Sequence, residues 1–229
     1  MSTEGRLIEM LEAVAAALGE DLRQELVFVG GCSIAVLITD DIVLQEVRAT
    51  DDVDLIVGLS GPARWLRLQE RLFDRGFTVS SEDEVICRMR LDGLKVDFMP
   101  DDESVLGFSN RWYRLGIETS QQYTLPSGTE IRHLSPPLFI ATKLEAYLGR
   151  GSDDPLGSHD LEDILIVIDG RDSLIEEIES ADSDVRAFIS EQLGALMVHR
   201  DFEHLLQGNI RGPEGRADIV RKRLAQLAN

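Results

Sequence analysis

The sequence lacks the features of a membrane-spanning or secreted protein. Its longest uncharged run, Leu26 to Thr39, is shorter than the roughly 18 apolar residues that indicate a spanning helix, and two glycines interrupt it. The residues before it, Met1 to Gln24, mix charged and apolar side chains, so they lack the basic start and apolar core of a secretion signal. These absences predict a cytoplasmic protein with no membrane partner.

Cysteines and metal-binding histidine patterns are also scarce. The two cysteines, Cys32 and Cys87, form no CxxC pair, and the four histidines show no zinc-site spacing. The sequence therefore predicts no disulfide framework and no zinc site. We expect both thiols to be small buried side chains.

Basic residues are few, since 23 lysines and arginines stand against 42 aspartates and glutamates, a formal net charge of -19. Such a surface repels phosphate, so a nucleic-acid partner would have to meet a local basic patch or arrive with a bridging metal. One basic row recurs at helical spacing, namely Arg64, Arg67, Arg71 and Arg75. We expect it either to receive an RNA backbone or to pair with nearby acids such as Glu70 and Asp74.

The hydrophobic pattern divides the chain into a mixed part and a helical part. With 43% hydrophobic and 28% charged residues, the 229-residue chain has the composition of a folded globular protein. Short β-branched runs alternate with helical periods up to about Leu134, and helical spacing continues from Ser158 almost to the end. We therefore expect an α/β (α+β) domain over residues 1–134 and an all-helical domain over residues 135–229.

The dipeptide Asp92-Gly93 predicts a β-hairpin with a two-residue turn. This register places Arg88 opposite Asp97 and Arg90 opposite Lys95, so one face of the hairpin is charged. Because cross-strand neighbours lie within reach of an ion pair, we expect Arg88 to neutralise Asp97 in the metal-free protein. The alternative is a surface ion pair without a functional role.

Two aspartates, Asp52 and Asp54, lie two apart at the start of a predicted strand and therefore project from the same face. At about 4 Å and an effective dielectric near 20, their repulsion is on the order of 4 kcal/mol, which calls for a divalent cation, a shared proton or full solvation. A solvated acidic loop is the alternative for this motif alone. Asp97, on the charged face of the hairpin, would supply a third carboxylate.

A glycine pair, Gly30 and Gly31, lies between a predicted strand, Leu26–Val29, and an apolar helix. At such a junction backbone N–H groups can hold phosphate, and glycine permits close approach. A glycine pair, then a strand with two aspartates and then a strand with one aspartate is the order expected for two-metal phosphoryl transfer.

These segments carry a resemblance to a known family. The resemblance to the nucleotidyltransferase fold of the DNA polymerase beta superfamily is carried by Phe28-Val-Gly-Gly-Cys-Ser, Arg48-Ala-Thr-Asp-Asp-Val-Asp-Leu and Val96-Asp-Phe. More narrowly, the chain resembles the AbiEii-like abortive-infection nucleotidyltransferase toxins through Ala141-Thr-Lys-Leu-Glu-Ala, Arg150 and Ser158-His-Asp-Leu-Glu-Asp-Ile. It departs from them in a long interval between the glycine pair and the aspartates, which makes residues 40–46 an insertion.

The resemblance implies a polymerase-beta-like fold with a mixed sheet and a Mg²⁺- or Mn²⁺-dependent nucleotidyltransferase. Such an enzyme moves a nucleoside monophosphate from an NTP, ATP among them, to a hydroxyl of an acceptor such as tRNA or protein. An antitoxin protein is its expected partner. The implied catalytic and metal-binding residues are Asp52, Asp54 and Asp97. The expected nucleotide-binding residues are Gly30, Gly31, Ser33, Arg48, Lys143, Arg150 and Asp160.

Two other functions fit the same residues. A catalytically silent nucleotide- or partner-binding module of a toxin-antitoxin pair would keep the site without the chemistry. An aminoglycoside-type nucleotidyltransferase would use the same sheet and metals on a small-molecule hydroxyl.

Lys143 and Arg150 share one helix stripe. The alternative to nucleotide binding for these two residues is a solvated helix face that pairs with Asp153, Asp154 or Asp160.

Overall fold

The computed structural model describes residues 2–150 and 154–229, which form two compact units. The first unit comprises the described residues up to Ala35 together with Arg48–Ser135. The second comprises Val36–Val47 and the described residues of Pro136–Asn229. Residues 36–47 therefore lie with the second unit, although they precede the expected domain boundary at residue 134.

The described residues form short strands up to His133 and helices throughout. The strands are β1 (Leu26–Val29), β2 (Asp52–Val57), β3 (Arg88–Leu91), β4 (Leu94–Pro100), β5 (Gln121–Thr124) and β6 (Glu130–His133). The helices in the first half are α1 (Thr3–Glu25), α2 (Ile34–Leu37), α3 (Asp41–Leu44), α4 (Pro62–Asp74), α5 (Glu103–Leu106) and α6 (Tyr113–Glu118). The later helices are α7 (Pro136–Gly149), α8 (His159–Gly170), α9 (Leu174–Glu179), α10 (Ser183–Met197), α11 (Phe202–Asn209) and α12 (Arg216–Leu227).

The first unit is built on one six-stranded sheet in the order β3-β4-β2-β1-β6-β5. β2 runs antiparallel to β1 and parallel to β4, and β1 runs parallel to β6. The two hairpin pairs, β3 with β4 and β5 with β6, are antiparallel. The sheet is therefore mixed, and the predicted α/β fold class is confirmed.

Local sequence explains how the centre of this sheet is buried. All four residues of β1 are buried, because the strand lies between β2 and β6 and has an apolar side chain at every position. α1 buries an apolar stripe at helical spacing, which includes Leu7, Leu11, Leu18 and Leu22. Its first turn is capped by Ser2, whose hydroxyl accepts from the backbone N–H of Gly5 at 3.1 Å.

The second unit is helical, with α8 at its centre. Nearly every residue of α8 is buried, which is expected for a helix that is apolar on most sides and contacts α3, α7 and α12. The insertion at residues 40–46 begins at the end of this helix, because the N–H groups of Thr39 and Asp40 donate to the Gly170 carbonyl at 2.9 and 3.0 Å. A Cβ on Gly170 would lie 2.8 Å from Ile38 and 2.9 Å from Val43, so only glycine fits there.

Most predicted elements are confirmed, and one segment is new. β1 has the bounds that the sequence predicts, and the Asp92-Gly93 turn joins β3 to β4. The stretch between Ser104 and Tyr123, which has no clear periodicity, contains α5, α6 and the start of β5. None of the described helices is both long and apolar enough to span a bilayer.

Candidate active site

Three carboxylates meet on one face of the sheet in the first unit. Asp52 and Asp54 lie on β2, and Asp97 is the register partner of Asp54 on the neighbouring strand β4. The residues between and after the pair, Val53 and Leu55, are fully buried, so the acids project from the opposite face of the strand. One oxygen of each carboxylate lies within 4.8 Å of the other two. We call Asp52, Asp54 and Asp97 the acidic triad.

Gly30 leaves room for one member of the triad. Its φ of 71° lies in the region that favours glycine, and a Cβ there would be 1.8 Å from Oδ2 of Asp54. The neighbouring Ser33 donates its hydroxyl to the Gly30 carbonyl at 2.8 Å, and both Ser33 and Gly31 are buried. Gly30 thus leaves the space that the Asp54 carboxylate occupies. Phosphate binding by Gly30, Gly31 and Ser33 stays a prediction.

Arg88 on β3 binds the acidic triad directly. Its Nε and Nη2 donate to the two oxygens of Asp97, each at 2.8 Å, and Nη2 also lies 3.5 Å from Oδ2 of Asp52. The predicted register, with Arg88 opposite Asp97, is confirmed. The hydrogen bonds to Asp97 raise the pKa of Arg88 further above its usual value, so the guanidinium stays charged.

The other charged side chains of the hairpin have partners outside the triad. Arg90 donates to both oxygens of Asp83 at 2.7 and 2.8 Å. Lys95 donates to Asp51 at 2.7 Å, and this hydrogen bond lowers the pKa of Asp51. Arg88 therefore differs from Arg90 and Lys95 on the same face, because of these three side chains it is the one that contacts two triad carboxylates.

Both thiols are buried, as the sequence predicts, and the negative charge of the triad affects the pKa of each. Burial, together with the charges of Asp54 and Asp52, raises the pKa of Cys32 above its usual range. Burial and the charge of Asp97 raise the pKa of Cys87 to about 12. Neither thiol is therefore ionised at neutral pH, and neither has the low pKa of a nucleophilic cysteine.

In the second unit, Lys143 bridges two carboxylates of α8. Its Nζ lies 3.1 Å from Asp160 and 2.7 Å from Asp163, whose side chains are 4% and 0% exposed. The lysine side chain itself is 13% exposed. The alternative given above, a solvated helix face, is therefore wrong for Lys143, although its pairing with Asp160 is observed. Sequence reasoning missed Asp163, although Asp160 and Asp163 lie at i and i+3 and must share a face of α8.

Arg150 also contacts Asp160, from the position directly after the end of α7, the helix that carries Lys143. The guanidinium is 73% exposed, whereas the carboxylate it binds is buried. Beside it, a cavity of about 270 Å³ is lined by residues that include Asp154 and Ser158. Of the alternative partners, Asp160 is therefore the one observed, and Asp153 lies outside the described residues.

The remaining basic candidates differ in exposure. Arg48 is half-buried, and its Nη1 lies 3.5 Å from the Ala49 carbonyl. In the basic row on α4, Arg71 and Arg75 bind acids of α1, with Asp21 shared between them. The partners are thus on another helix and not at Glu70 or Asp74. Arg64, Arg67 and Arg75 are exposed, whereas Arg71 is half-buried.

The mixed sheet, the acidic triad and the glycine turn beside it define the class of the protein, a nucleotidyltransferase-like fold. A match to a protein family narrows this class. Residues 13–218 match the family described as "Nucleotidyl transferase AbiEii toxin, Type IV TA system". Because the match covers most of the chain, the protein belongs to the AbiEii nucleotidyltransferase toxin family. A search of the curated proteins found no match to the chain.

Proposed function

We propose that this protein is a Mg²⁺- or Mn²⁺-dependent nucleotidyltransferase, which moves a nucleoside monophosphate from an NTP to a hydroxyl acceptor and releases pyrophosphate. The observation that carries this proposal is the acidic triad, whose three oxygens lie within 4.8 Å on two neighbouring strands. Membership in a nucleotidyltransferase toxin family supports the same reaction and implies an antitoxin partner.

The triad fits a divalent cation by its chemistry. Carboxylate oxygens are the preferred protein ligands of Mg²⁺ and Mn²⁺, and three of them so close together repel one another unless positive charge intervenes. Asp52, Asp54 and Asp97 would hold the cation. When bound, it would lower the pKa of the acceptor hydroxyl and neutralise charge on the leaving pyrophosphate.

The other residues would bind and orient the reactants. Asp97 would assist deprotonation of the attacking hydroxyl, since it lies beside Asp54 of the neighbouring strand within the acidic triad. Backbone N–H groups at Gly30 and Gly31 would contact the triphosphate, because the two glycines lie where β1 gives way to the following helical turn. In the second unit, Lys143, Arg150 and Asp160 are the proposed nucleotide contacts, with Arg150 the most exposed of the cations.

A label-transfer assay tests this proposal. The protein is incubated with Mg²⁺ and each α-labelled NTP in turn, and the acceptor is total tRNA, the protein itself, its antitoxin or an aminoglycoside. We expect labelled product with one acceptor and one preferred nucleotide, and loss of product in Asp54→Asn. Asp83→Asn is the matched control, because Asp83 pairs with Arg90 outside the triad.

The same assay separates the alternative functions. Label on the aminoglycoside would identify a small-molecule nucleotidyltransferase, whereas label on tRNA or protein would identify the toxin-like reaction. Nucleotide binding without transfer to any acceptor would contradict the proposal and favour the silent binding module.

A further inference from the structure

Arg88 occupies both oxygens of a proposed metal ligand. The fork of its guanidinium is matched to the Asp97 carboxylate, with two hydrogen bonds of 2.8 Å, and it also reaches Asp52 at 3.5 Å. The pair is largely withdrawn from solvent, since the side chains of Arg88 and Asp97 are 15% and 11% exposed. A bidentate pair in such a place is stronger and less screened than an exposed ion pair.

The contact between Arg88 and Asp97 changes the net charge of the triad. The three ionised carboxylates of the triad carry three negative charges, and the Arg88 guanidinium offsets one of them. The remaining two equal the charge of a single divalent cation. With Arg88 in place, positive charge beyond that one cation is therefore unfavourable at the triad until another anion binds. In the proposed reaction, this anion is the triphosphate of the NTP.

We propose that Arg88 is an internal counter-ion that withholds Asp97 from metal until nucleotide binds. Without nucleotide, the guanidinium competes with the cation for the Asp97 oxygens and weakens metal binding. With nucleotide, the phosphates provide other acceptors for the guanidinium, and Asp97 is released to the cation. Metal and nucleotide then bind interdependently, each raising the affinity for the other. This inference rests on the proposed function, because it assigns the triad to metal.

The neighbouring strand position provides a matched control. Arg90 lies two residues away on the same face of β3 and forms an equally short bidentate pair, but with Asp83. Arg88→Gln and Arg90→Gln thus remove the same charge from the same strand and break the same kind of pair. Only the first of them frees a triad carboxylate.

The test is a titration with Mn²⁺ in which free Mn²⁺ is measured by electron paramagnetic resonance, with and without a non-hydrolysable NTP analogue. We expect Arg88→Gln to raise the Mn²⁺ affinity without nucleotide at least tenfold and to reduce the further gain on adding the analogue. Arg90→Gln should change neither quantity. Unchanged or weaker Mn²⁺ binding in Arg88→Gln would overturn the inference.

A second variant keeps the test decisive if Arg88→Gln unfolds. Arg88→Lys retains one positive charge but lacks the fork, so it should raise the Mn²⁺ affinity by a smaller factor. No gain in this folded variant would overturn the inference as well. Failure of the proposed function is distinguishable, because absent nucleotide transfer in the unmodified protein would leave the Mn²⁺ titration interpretable by itself.

Discussion

Gly30 and Asp54 show how one absent side chain makes room for a carboxylate. A Cβ at Gly30 would lie 1.8 Å from the Asp54 carboxylate, and the backbone there has a φ of 71°. The carboxylate therefore fills the space that any other residue would occupy. On the other side of the triad, Arg88 fixes Asp97 by two hydrogen bonds. The geometry of the triad thus depends on the absence of a side chain at Gly30, next to Asp54, and on the hydrogen bonds from Arg88 to Asp97.

Gly30→Ala should disrupt the triad by displacing Asp54. We expect a loss of stability greater than the roughly 1 to 2 kcal/mol of backbone strain at a positive φ, and a lower Mn²⁺ affinity. Gly76→Ala is the control, because Gly76 has a φ of 89° but no atom within 4 Å of a built Cβ. Equal losses of stability and equal Mn²⁺ affinity in the two variants, by chemical unfolding and titration, would show that Asp54 does not need this space.

Lys143→Ala should destabilise the protein, because it leaves the buried carboxylates of Asp160 and Asp163 without their shared cation. Removing one partner of a buried ion pair costs about 3 to 5 kcal/mol. Urea unfolding measures this loss, and Lys222→Ala on an exposed site should change stability by less than about 0.5 kcal/mol. Similar small effects for both lysines would contradict the observed pairing.

A compensated variant then tests whether Lys143 also binds nucleotide. Asp163→Asn removes one of the buried charges, so the double variant Lys143→Ala with Asp163→Asn should regain part of the stability. If Lys143 contacts the triphosphate, nucleotide titration should show weaker binding for this double variant than for Asp163→Asn alone. Equal affinities would restrict Lys143 to a structural role.

At the scale of secondary-structure elements, ionic contacts attach the insertion to the second unit. Arg216 of α12 binds both oxygens of Asp169 at 2.9 and 2.8 Å and also lies 3.4 Å from Asp40, which caps α3. Arg171, just after α8, donates to the Leu37 carbonyl at 2.6 Å. The insertion is therefore held at Asp40 by a side chain from α12, and the residues just before it are held at Leu37 by a side chain from the end of α8.

Arg216→Met should destabilise the second unit in a pH-dependent way. Burial raises the pKa of Asp169 even though Arg216 is bound to it, so removing Arg216 should raise this pKa further. A folded-state pKa above the unfolded value means that stability is retained below the unfolded pKa, near 3.9, and is lost as the pH rises through the folded-state pKa. The deficit of the variant should thus be about 3 to 5 kcal/mol at neutral pH and smaller toward pH 4.

The control for this prediction lies on the same helix. Arg221 pairs with Glu203 and Asp218, whose side chains are 55% and 68% exposed, so Arg221→Met should cost less than about 1 kcal/mol at any pH. Thermal unfolding of both variants between pH 4 and pH 8 measures the difference. A pH-independent deficit in Arg216→Met would contradict the role given to Asp169.

At the scale of the whole molecule, local signals predict the elements but not all of their partners. The Asp92-Gly93 turn is enough to predict that Arg88 faces Asp97, because a two-residue loop fixes the register of the hairpin. Asp97 joins Asp54 only because β4 and β2 are neighbours, a long-range pairing that the family resemblance supplies and the local pattern does not. The insertion lies with the second unit for a similar reason, since its contacts are with residues far along the chain.

The net charge of -19 affects how the protein could bind an anionic nucleotide. A molecule so acidic repels free nucleotide, so positive charge at the triad would have to overcome this repulsion locally. The Arg88 guanidinium, which contacts the triad, is already paired with two of its acids. Divalent metal would be a further source of positive charge there, and we propose that the triad holds it for nucleotidyl transfer.

Asp97→Asn tests that claim most directly, because it removes one negative charge from the triad while keeping the size of the side chain. Transfer of label from an α-labelled NTP is measured in Mg²⁺ for the unmodified protein and for the variant, with the folded fraction of each checked by thermal unfolding. We expect the folded variant to lose metal-dependent transfer by at least roughly a thousandfold, a change of about 4 kcal/mol in transition-state stabilisation. Full transfer by Asp97→Asn would contradict the assignment of the three carboxylates.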